Sequence, residues 1–187
     1  MEKFKTKNLI LASFIALAMM FVAMFGFAAC GTKTVALTEE NLVGTYDVVN
    51  ASFTPTAENT YNTQSATCTK AEYDAITAKV EAGQELTADE SYKYNEVFDG
   101  FFGKYEVKAD HNIHVVGMAQ EVQATWAIED GKIVYTEVQQ GSYPLSGWTF
   151  DCAWDNGKVV ITITVPNGTG ATMAGTMVLT LEKVAAE

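Results

Sequence analysis

Arginine is absent from the 187 residues: all 12 basic side chains are lysines, set against 23 Asp and Glu, for a net charge of −11. A chain without guanidinium forks and with this acidic excess is a poor partner for nucleic acid, phosphate or anionic lipid headgroups. Histidine is nearly absent as well, with only His111 and His114. No Cys-x-x-Cys pair exists, which removes a zinc ribbon and a thioredoxin-like redox site. Gly-x-Ser-x-Gly, His-Glu-x-x-His and phosphate-loop motifs are also missing. Only three prolines occur, none in a stalk-like run, and no internal repeat is visible.

What is present begins with an export signal. Lys3, Lys5 and Lys7 precede an uncharged apolar run from Leu9 to Phe27, followed by Ala28, Ala29 and Cys30. At ~1.5 Å per residue such a run could just cross a ~30 Å hydrocarbon core. Its end is more specific than an anchor requires. Phe27-Ala28-Ala29-Cys30 resembles the bacterial lipobox, with Phe where Leu is usual. That resemblance implies a diacylglyceryl thioether on Cys30 and cleavage before it. The membrane is then a partner through that lipid, and the protein lies extracytoplasmic at the cell-membrane or outer-membrane surface. Residues 1–29 are accordingly the signal peptide, 30–38 a lipidated tether and 39–187 the folded domain. Without the signal, nine lysines face 22 acids, which keeps an exported domain soluble and off an anionic surface.

Cys68 and Cys152 are a candidate disulfide, closing a loop of about 84 residues that would stabilise by ~4 kcal/mol in the chain-entropy model. Two separate thiols are the alternative.

The domain reads as β. "LVGTYDVVNASF" is rich in β-branched and aromatic residues, and seven further alternating runs follow Gly100. They include "GKYEVKA", "IHVVGM", "EVQATWAIE", "KIVYTEV", "WTFDCAWD", "KVVITITV" and the last run to Val184. Asp130-Gly131 and Asn156-Gly157 are two-residue hairpin signals. Between the first and second strands, Thr69…Glu72 and Thr87…Glu90 are capping boxes that open two helices, an insertion over about 69–99. Eight strands in a meander have two economical solutions, a closed barrel or a two-sheet sandwich. A barrel leaves no exposed edge and can hold one small ligand.

Leu42-Val43-Gly44-Thr45-Tyr46 resembles the Gly-x-Trp opening of lipocalins and bacterial lipocalin-like domains, with Tyr in place of Trp. The resemblance implies an eight-stranded antiparallel up-and-down barrel. Tyr46 would plug its base, and Lys183 on the last strand would cover that aromatic. The two-helix insertion would then lie at the open end, as a lid.

Two features bear on chemistry. Asp110, His111 and His114 offer carboxylate and imidazole ligands, but Asp, His and Asn also suit a tight turn for conformational reasons alone. Trp126, Tyr135, Trp148, Phe150 and Trp154 either line a ligand cavity or fill the core. The expectation is a non-enzymatic binding protein for a small apolar ligand, without cofactor, metal or nucleic-acid partner. The alternative is a structural or protein-interaction module of the cell envelope with a filled barrel.

Overall fold

The computed structural model describes residues 34–116, 122–141, 143–167 and 174–185; the expected signal segment and Cys30 lie outside them. The compact unit runs from Val35, so part of the expected tether already belongs to it. Among the described residues no helix is long and apolar enough to cross a membrane.

The architecture is a closed eight-stranded antiparallel barrel. A short helix α1 (Glu39–Leu42) leads into β1 (Gly44–Pro55). The other barrel strands are β3 (Lys104–Val107), β4 (Asn112–Val116), β5 (Val122–Glu129), β6 (Lys132–Gln140), β8 (Thr149–Asp155), β9 (Lys158–Val165) and β10 (Gly175–Lys183). Each pairs with its sequence neighbour, and β10 returns to pair with β1, from Tyr46 opposite Lys183 to Pro55 opposite Gly175. These are the eight strands that alternation predicts. Two short strands escape it: β2 (Ala66–Thr69), which adds to the outer half of β1, and β7 (Tyr143–Pro144), beside β6.

Two hairpins turn where their sequence demands. Asp130 and Gly131 (φ 49° and 73°) and Asn156 and Gly157 (φ 48° and 94°) all have positive φ, the geometry whose twist matches paired strands.

Two bulges reset the inward face of the strands. In β1 the pairing slips at Val49, so that Tyr46 and Val48 point inward, followed by Ala51 and Phe53. In β6, Glu137 takes φ 54° where the β5–β6 register shifts. Strict alternation after Ile133 and Tyr135 would drive Glu137 into the barrel. The extra residue turns it outward and brings Val138 and Gln140 to the interior instead. A carboxylate is thus kept out of an apolar space where its charge would be costly.

The insertion forms between β2 and β3. Helix α2 (Lys70–Glu81) has the full capping box, with Glu72 bonded back to the Thr69 N–H at 2.7 Å. Thr87 and Glu90 cap α3 (Ala88–Ser91) in the same way. The second helix then widens over Tyr92–Val97, ending with the Phe98 N–H bonded to the Lys93 carbonyl at 2.9 Å. Lys79 and Glu90, 2.5 Å apart, join the two helices. On α2, Ile76 is buried, Tyr73 half-buried and Val80 exposed.

The base of the barrel is filled. Tyr46 is fully buried, and its hydroxyl donates to the Leu42 carbonyl at 2.7 Å. Lys183, opposite Tyr46 on β10, donates to the Asn41 carbonyl at 3.0 Å. Both side chains therefore satisfy carbonyls at the C-terminal end of α1, where a cation is also favoured. Tyr46→Phe removes one buried hydrogen bond and strands its acceptor. It is expected to lower unfolding free energy by about 1–2 kcal/mol in urea titrations while leaving the circular-dichroism spectrum unchanged.

Candidate functional site

The opposite end of the barrel is hollow. A cavity of ≈ 230 Å³ lies there, walled by inward residues of six strands. Tyr105 comes from β3, Ile113 and Val115 from β4, and Val122 and Ala124 from β5. Tyr135, Val138 and Gln140 of β6 continue the wall, the last two aimed inward by the Glu137 bulge. Phe150 of β8 and Ile161 and Ile163 of β9 complete it, with Leu145 and Trp148 from the β6–β8 connection at the rim.

The insertion supplies the remaining edge through Asp99 and Phe101. Aromatic stacking holds the adjacent Phe102. Tyr73 of α2 stacks on Phe102 with ring centroids 4.6 Å apart, and Phe98 meets the same ring edge-on at 6.1 Å. The Phe101 N–H bonds to the Phe98 carbonyl at 3.1 Å. On the other flank, the Tyr92 hydroxyl donates to the Gln64 carbonyl at 2.7 Å and Asn62 Nδ2 to the Glu96 carbonyl at 3.2 Å. The segment between β1 and β3 therefore packs at the cavity end of the barrel.

Of the five aromatics singled out in the sequence, three line the cavity: Tyr135, Trp148 and Phe150. Trp126 does not. It is directly opposite Tyr135 across β5–β6, but its indole N–H donates to the Lys108 carbonyl at 3.0 Å and its ring lies against His111 at 4.8 Å. Trp126 thus plugs the base beside Tyr46. Trp154 is also at the base, where its indole N–H donates to the Val35 carbonyl at 2.8 Å. Val35 N–H in turn donates to Asn156 Oδ1 at 2.8 Å, so Val35 is strapped to the β8–β9 turn. Nothing in the alternation of these residues distinguishes base from mouth; their height in the barrel decides it.

The cysteines do not pair. Cys68 on β2 and Cys152 on β8 are both buried and both free. Cys68 sits opposite Ala51 of β1, whereas Cys152 sits between Ile133 and Ile161. Cys152 and Tyr135 are close enough to act on each other electrostatically. Burial pushes the Cys152 thiol up to about 12 and holds the Tyr135 phenol well above its ordinary value. Cys68 rises to about 11, first through burial and then through the Glu72 carboxylate. Such thiols are protonated and unreactive at neutral pH.

Asp110 and His111 are committed to the β3–β4 turn. Asp110 Oδ1 accepts from the Asn112 N–H at 3.1 Å, a bond that lowers the carboxyl pKa. His111 has φ 65° and its carbonyl accepts the Trp126 N–H at 2.9 Å. His114 is on β4 opposite Glu106 and Gln123. Among the described residues no group of three or more His, Cys, Asp or Glu is placed to hold a metal.

Compared with known proteins, this chain matches no family model, no curated protein and no solved structure.

The two buried thiols make stability depend on alkaline pH. In the unfolded chain they ionise near 9, while in the folded barrel they stay protonated to about 11 and about 12. Above pH 9 the unfolded state therefore binds fewer protons, and stability is lost as pH rises from there toward 12. Urea midpoints should fall between pH 8 and pH 10.5. Ellman's reagent at pH 8 should titrate neither Cys68 nor Cys152 until urea unfolds the chain. Rapid native labelling of either would contradict their burial.

Proposed function

We propose that this chain is a lipid-anchored extracytoplasmic bacterial lipoprotein, not an enzyme, whose lipocalin-like barrel takes a small apolar ligand. The carrying observation is the apolar cavity in the mouth half, bounded by Tyr135, Trp148 and Phe150 and edged by Phe101 of the insertion. Its ≈ 230 Å³ is below the ~300 Å³ typical of drug-sized pockets, which points to a small occupant. A structural module with a filled barrel is the second reading, and the packed base favours it as far as Trp126. The empty space above that level is what the binding reading explains and the other does not.

The lipobox-like "FAAC" supports the anchor. Val35 follows Cys30 by five positions, and at full extension that span reaches only ~18 Å. Val35 is strapped to the base, so a lipid on Cys30 would tether the barrel by its closed end and leave the mouth clear. Ligand would then enter from the aqueous side.

Calorimetric titration of the full chain in phosphatidylcholine nanodiscs, with empty discs subtracted, tests both halves of the proposal. The neutral probe 2-naphthylmethanol should bind saturably, one per chain. Ala124→Trp, which fills the cavity, should weaken it at least about tenfold. Unchanged binding in Ala124→Trp would place the probe elsewhere and remove the cavity reading. Mass spectrometry of the same sample should find acyl chains on Cys30 and none in Cys30→Ser.

A further inference from the structure

The charges at the cavity narrow its occupant to one class. Among the described residues that line it, Asp99 is the one charged side chain; no lysine lines it, and the chain has no arginine. Asp99 is exposed, directly after buried Phe98 and two residues before Phe101 at the rim. The nearest lysines in sequence are occupied or turned away. Lys93 pairs with Asp89 at 2.9 Å, and Lys104, exposed, alternates outward from inward-facing Tyr105. Inside, the polar groups are neutral: Gln140 and the Tyr105 and Tyr135 hydroxyls, all on an otherwise hydrocarbon wall.

A carboxylate ligand would find no cation in this cavity and would lose hydration without replacement. At the rim it would also meet Asp99 and, behind it, a chain of net charge −11. An ammonium ligand meets the reverse situation. Its apolar body fits the hydrocarbon wall, while its charged head stays at the wet rim beside Asp99. Resting on the reading of this cavity as a ligand site, we infer that the barrel selects cationic over anionic apolar molecules, with Asp99 as the specificity-determining residue for an ammonium head on a compact apolar body. The effect is modest in size and acts at the rim, because an exposed ion pair changes affinity by only about two- to fivefold.

Three probes with one naphthalene body isolate the charge: 2-naphthylmethylamine, 2-naphthylmethanol and 2-naphthoate. They are titrated at pH 7 into the full chain in phosphatidylcholine nanodiscs, with empty discs subtracted. The ammonium should bind tightest and the carboxylate weakest, the gap narrowing as salt rises. Asp99→Asn should weaken the ammonium about two- to fivefold and leave the alcohol unchanged. Equal affinity for ammonium and carboxylate would overturn the inference, as would an Asp99→Asn loss shared equally by the alcohol. Binding of the alcohol alone would leave the cavity reading intact while rejecting its charge preference. Absence of saturable alcohol binding would remove the cavity reading itself, and the inference with it.

Discussion

The seam between β1 and β10 is the constraint on which the interior depends. β1 is the longest strand, and one of its edges is paired to β10 from Tyr46 to Pro55. Its other edge is shared, with β3 on Gly44–Asp47 and β2 on Asn50–Phe53. The Val49 bulge falls between those two partners, where one strand must serve two directions. Closing this seam turns a meander with two raw edges into a barrel with none, and creates an inside. Gly175 sits at the upper end of the seam for want of space. A Cβ there would be 2.5 Å from the Thr54 carbonyl oxygen and 2.8 Å from the Phe53 ring.

Closure defines an interior, and side-chain size divides it. Near the base, Tyr46, Trp126 and Leu181 are large and inward, and Leu42 packs beneath them. Nearer the mouth, Ala124 and the β-branched Val115, Ile113 and Ile163 leave room between the rings of Tyr105, Tyr135 and Phe150. The Trp126–Tyr135 pair marks the boundary, with one ring committed to the base and the other to the cavity. The Trp126 indole is held there by its bond to the Lys108 carbonyl, while Tyr135 lies beside the buried Cys152.

Most of the architecture was legible in the sequence because its signals are local. Alternation located eight strands, Asp-Gly and Asn-Gly located their turns, and two Thr…Glu boxes opened the helices of the insertion. Tyr46 and Lys183 bond the Leu42 and Asn41 carbonyls at the same end of α1. What was not legible depends on long-range fit. Bulges at Val49 and Glu137 shift which residues face inward, and no composition cue marks them. β2 is four residues long and exists only because β1 offers it an edge. Alternation also specifies the face a residue occupies, never its height, so Trp126 and Trp154 could not be separated from Trp148 and Phe150. The cysteine pair illustrates the same limit, since Cys68 and Cys152 settle on β2 and β8 without meeting.

The central claim is physical: the mouth half of this barrel is an apolar void, not a packed core. Xenon is small, uncharged and retained by dry hydrocarbon cavities without needing any chemical recognition. Crystals of the protein pressurised with xenon should therefore show anomalous density between Ala124, Tyr135 and Phe150. An interior with no xenon site, or one closed by rings turned in from Trp148 and Phe101, would contradict the account.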